Sequence, residues 1–176
     1  MQRETDKSLS AQLAELEDKF NNESLGTYER EHAFCGYWLA RLQIERGLSR
    51  DSISRLLSYT DWWPVIAEVI GQLCRTDVLS NDDLDWLLET VPKTIPQSRF
   101  SLEQLKALKC LRDQELGWQD KLPALLELKA DWAVHRIIRS IPLDQIDTAR
   151  HMIEGSKRPR RARNELLAAL QSKIKS

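Results

Sequence analysis

Few side chains in this sequence are of types and at spacings that could do chemistry. Glu29, His32 and Cys35 stand three residues apart, which brings all three near one face of a helix. A di-iron bundle centre needs two Glu-x-x-His motifs plus two further glutamates, and no second such motif occurs. His32 therefore reads as structural, and His135 and His151 lie far from it in sequence. Asp82, Asp83 and Asp85 have the charge to bind a cation, but acids in a first helical turn are more simply capping and dipole residues. Cys-x-x-Cys, His-Glu-x-x-His, Gly-x-Gly-x-x-Gly and P-loop patterns are all missing. The sequence thus predicts no catalytic, cofactor-binding or metal-ligating residue, and a protein that is not an enzyme.

The sharpest feature is Ser156-Lys157-Arg158-Pro159-Arg160-Arg161-Ala162-Arg163. Residues 149–176 carry eight cations against two acids, net +6, so the rest of the chain holds −7 and the whole −1. Cations gathered at a helix N-terminus oppose the macrodipole, a cost that a phosphate backbone or an acidic surface would relieve. Lys157, Arg158, Arg160, Arg161 and Arg163 are therefore candidate binders of a partner or of phosphates. Against this stand two plainer possibilities, a solvated tail or an internal clamp on the acidic body.

A second candidate lies at 81–91, where Leu84, Leu87, Leu88 and Val91 share one face. Trp86 falls opposite them, with Asp82, Asp85 and Glu89 around it, and an aromatic on a polar face suits a protein contact. The competing reading buries Trp86 under a neighbouring helix. Trp132 poses the same question; a helix running straight through 121–140 would bury it on two sides, and a break near Lys129-Ala130 would not.

The elements that must position these residues are helical. Strand alternation and hairpin turns are missing, while apolar residues recur at helical spacing throughout. Nine helical segments are predicted, with 121–140 as one segment open to a break. Ser49, Ser80 and Ser101 each sit between apolar staple residues with an acid following, an N-cap pattern; Pro142 opens a weaker copy. Their spacings of 31, 21 and 41 residues are too uneven for a regular solenoid. Segment 61–75 is apolar over most of its circumference, so it is predicted to be the buried central helix, with Trp62 and Trp63 in the core. Residues 46–62 have the cadence of a helix-turn-helix, but the would-be reading helix holds no Lys or Arg before Arg75.

The expected architecture is all-α: a single domain of eight or nine helices stacked irregularly around 61–75. Residues 1–7 are expected to be flexible, 8–155 to form the helical body, and 156–176 to form a basic C-terminal helical segment. The absence of an apolar signal segment, and three distant cysteines in helical patterns, suggest reduced thiols and a cytoplasmic protein without a membrane span. The functional expectation is a small helical subunit, inhibitor or immunity-type factor that binds a protein partner. The alternative is a nucleic-acid-associated accessory protein gripping phosphates with the basic segment.

Overall fold

In the computed structural model the backbone is described for residues 2–45 and 47–175, and side chains for 10–45 and 47–174. These residues form ten α-helices and no strand. The chain divides into two compact units, Met1–Ser101 and Leu102–Ser176.

In the first unit, α1 (Gln2–Asn21) and α2 (Thr27–Ile44) pack against each other. The helix α1 begins six residues before its expected start; Met1, part of the stretch expected to be flexible, lies outside the described residues. Next come α3 (Arg50–Leu57), a 3-10 turn at Thr60–Trp62, α4 (Trp63–Thr76) and α5 (Asn81–Thr94). Ser49 and Ser80 cap α3 and α5 as the pattern predicts, accepting from the amides of Ser52 and Asp83. The helix α4 is the buried helix expected at 61–75: Ile66, Val69, Ile70, Leu73 and Cys74 are fully enclosed, and it packs on α2.

Trp62 and Trp63 depart from the expectation, being half-buried rather than core. The 3-10 turn lifts the chain out before α4 begins, so the two rings miss the helix's buried face. The wholly buried aromatics are instead Phe20, Phe34 and Trp38. Phe34 meets Trp62 edge-on at 4.4 Å between ring centroids, and Phe20 meets Phe34 likewise at 5.3 Å. Such T-shaped contacts place the positive ring edge over the negative face of the neighbour.

The second unit holds most of α6 (Arg99–Arg112), then α7 (Trp118–Glu127), α8 (Asp131–Ser140), α9 (Ile146–Gly155) and α10 (Arg160–Lys175). It builds its own core from residues such as Ala107, Leu122, Leu125, Val134, Ile138, Ala149, Ile153, Leu166 and Leu170. Two sequence expectations are corrected from α6 onward. Ser101 does not cap α6, because the helix starts two residues earlier and turns Ser101 inward. The segment 121–140 breaks into α7 and α8 at the site named as an alternative, so no straight helix buries Trp132 on two sides; this split also raises the helix count to ten.

Candidate functional site

The break between α7 and α8 shows where the basic segment is spent. Residues 128–130 leave helical geometry, and the Lys129 amide and the Leu128 and Lys129 carbonyls find no partner in either flanking helix. Gln104 of α6, only 1% exposed, donates from Nε2 to the Lys129 carbonyl at 2.6 Å, and its Oε1 accepts from Trp132 Nε1 at 2.6 Å. The Lys129 amide donates to Glu103 Oε2 at 3.2 Å. Arg158, reaching in from the C-terminal segment, donates from Nε to the Leu126 carbonyl at 2.9 Å and from Nη2 to that of Leu125 at 3.1 Å. Its Nη2 also donates to the Leu128 carbonyl, and it pairs with Asp131. Its side chain is 9% exposed. Burial pushes the Arg158 pKa down from its ordinary value while the nearby Glu103 charge pulls it up.

Arg158 is thus an internal clamp rather than a free phosphate ligand. Arg163 behaves similarly, donating from Nη1 to the Glu154 carbonyl at the end of α9, 2.7 Å away. Lys173 Nζ donates to the carbonyls of Ile138, at 3.3 Å, and Arg139, at 2.6 Å, in the last turn of α8. These contacts place positive charge on the carbonyl ends of α7, α8 and α9, where the helix dipoles are negative. Of the remaining cations named in the sequence, Lys157 and Arg160 are exposed, and Arg161, with a 92% exposed side chain, pairs with Glu165 at 3.1 Å. The sequence named all five cations; only the packing sorts them into clamps and surface charges.

Trp86 is half-buried, and its ring carries the Arg50 guanidinium carbon 5.2 Å from its centroid. Arg50 is held there by Asp83, with Nη2 to Oδ1 at 2.7 Å. Hydrogen bonds from Ser80 and Arg50 keep the Asp83 pKa below its ordinary value. Asp82, Asp85 and Glu89 are exposed around this point. A cation therefore lies over the surface that the sequence offered as bare aromatic.

His32 and its neighbours do not assemble a chemical site. Glu29 Oε2 accepts from the Gly26 amide at 3.2 Å, reaching back over the start of α2. His32 is exposed and its ring lies parallel to Tyr28, with centroids 6.4 Å apart. Burial raises the Cys35 and Cys110 thiols above their ordinary pKa, and none of the three cysteines is in a disulfide. Among the described residues, no cluster of three metal-ligating side chains occurs, and no helix is long and apolar enough to cross a membrane.

Two hollows in the first unit escaped the sequence reading. One, of about 370 Å³, lies between α1 and α2 and is lined by Leu16, Leu25, Tyr28, His32 and Ala33, with Lys19 and Glu29 at its edge. Tyr28 is 80% exposed there. The other, of about 350 Å³, is walled by Phe20, Tyr59 and Trp62, with Asn21, Arg30 and Asp61 lining it. Helical periodicity marks the buried side of each helix but says nothing of a depression between two of them, so neither hollow left a signal. Compared with family models, with curated proteins and with solved structures, the chain matches none.

Proposed function

We propose that this chain is a non-enzymatic binding protein, a helical subunit, inhibitor or immunity-type factor that acts by contact with another protein. The observation that carries the reading is Tyr28, an almost fully exposed aromatic beside an apolar hollow on the α1–α2 face. Tyrosine offers a large ring with only two side-chain torsions to fix, so covering it costs little conformational entropy, and it is enriched at binding hot spots. Lys19 and Glu29 at the rim supply charges of both signs for orienting a partner. Trp86 with Asp82, Asp85 and Glu89 offers a second patch of this kind, blunted by Arg50.

A nucleic-acid-associated role is the second reading, and the exposure of Lys157, Arg160 and Arg161 favours it. With Arg158, Arg163 and Lys173 engaged on helix carbonyls, few charges remain for phosphates, and the reading is the weaker for that.

Affinity capture from the native host, with and without nuclease, tests both. The protein-binding reading expects a partner that survives nuclease and is lost with Tyr28→Ala at unchanged melting temperature. Loss on nuclease treatment, or with Lys157, Arg160 and Arg161 all changed to Ala, would replace it with the second reading. Capture no different from that of an unrelated helical bait overturns both.

A further inference from the structure

We propose that the hollow walled by Phe20, Tyr59 and Trp62 binds a small zwitterion, an α-amino acid with an apolar side chain. Its volume, about 350 Å³, lies within the range of small-molecule sites. Its walls are rings packed on one another. The Tyr59 and Trp62 rings are nearly parallel, 15° apart with centroids at 5.9 Å, and Phe34 is packed against both at 4.9 and 4.4 Å. Phe20 meets Trp62 edge-on at 6.0 Å.

Arg30 is fixed at this hollow by two contacts. Its Nε donates to the Phe20 carbonyl at 3.0 Å, and its guanidinium carbon lies 5.6 Å from the Trp62 centroid. Among the described residues, no protein acceptor engages its two terminal nitrogens. A half-buried guanidinium held still, with terminal N–H groups to spare, has the planar geometry that grips a carboxylate through two parallel bonds. Asp61 lines the same hollow and is engaged neither by Arg30 nor by any other described residue. Opposite charges that share so small a space without meeting leave room for a molecule whose ends complement both.

The remaining chemistry narrows the ligand. Asp61 opposes a phosphate, whose second charge would meet a carboxylate. Arg30 already covers a face of Trp62, which disfavours a simple cation. An amino acid answers each point: its carboxylate on Arg30, its ammonium on Asp61, its apolar side chain along the aromatic wall.

Isothermal titration of the full chain with the individual amino acids tests this. Leucine, methionine, phenylalanine and their like are expected to bind saturably, and glycine far more weakly. The C-terminal amide and the deaminated acid of the best binder should each bind at least about tenfold more weakly, as loss of one charge-assisted bond implies. Arg30→Gln and Asp61→Asn should each do the same. Arg30 also engages the end of α1, so Asp61→Asn, which removes an exposed charge without a structural bond, keeps the test decisive if Arg30→Gln melts early. No saturable heat with any amino acid, equal binding of the deaminated acid, or full affinity in Asp61→Asn overturns the proposal.

Discussion

The two units solve one problem with different devices. Packing short helices leaves corners where rings, loops and helix ends meet, and each corner must be filled or hydrogen-bonded. The first unit fills the corner around α1, α2 and the 3-10 turn with rings: Phe20, Phe34, Tyr37, Tyr59 and Trp62 meet one another, mostly edge to face. The second unit ties its corners with cations: Arg158, Arg163 and Lys173 on the ends of α7, α9 and α8, and Lys121 on the Leu111 carbonyl of α6 at 3.0 Å. A ring cluster gains from area removed from water and leaves hollows where flat plates meet. A cation on a carbonyl gains from charge in a partly dry site and adds little apolar area. The difference explains why the aromatic-walled hollow lies in the first unit, while a strongly basic sequence segment in the second exposes only part of its charge.

Substitutions test the contrast, beginning with the largest effect. Phe34→Ala should destabilise by about 4 kcal/mol, the cost of a large cavity in a core that cannot collapse. Amide hydrogen exchange should accelerate first in α1, α2 and α4; unchanged protection there would mean the rings are ornament. Arg158→Ala should cost about 3 kcal/mol, since it strips a charged donor from the half-buried carbonyls of the α7–α8 break. The neighbouring Arg161→Ala should stay within about 0.5 kcal/mol, as expected of an exposed pair. Equal urea midpoints for the two would erase the distinction between clamp and surface charge.

Lys173→Met, which keeps the stem and removes the ammonium, should cost about 1 to 2 kcal/mol by freeing the last carbonyls of α8. Protection of the α8 amides is the measurement that checks it. The smallest effect concerns pH. Because Asp83 has its folded pKa lowered by Ser80 and Arg50, its contribution is complete above its unfolded value of about 4 and is lost as pH falls through the folded value. Acid unfolding of Asp83→Asn should show a shallower loss of stability below about pH 4 than the parent chain; an identical slope would remove Asp83 from the account.

How much of this was legible beforehand varies with the kind of signal. Serine followed by an acid at helical spacing is a local arrangement, and Ser49 and Ser80 cap their helices as read. Ser101 carries the same local signal and fails, because α6 starts at Arg99 and leaves Ser101 inside its first turn, buried rather than capping. The apolar circumference of 61–75 correctly marks a buried helix, yet its two leading tryptophans sit on a 3-10 turn and its junction and stay half-exposed. The basic run is unusual in composition, but a run of arginines looks the same whether it meets solvent, phosphate or a carbonyl.

The amino-acid order alone determined that the described chain is helical, where most of its helices lie and which faces are apolar, because those depend on neighbours within a turn or two. Tertiary structure decided which cations are buried, where the α7–α8 corner falls and which rings line a hollow. Each of these depends on groups far apart in the chain, whose desolvation and hydrogen bonding are settled only when the helices meet.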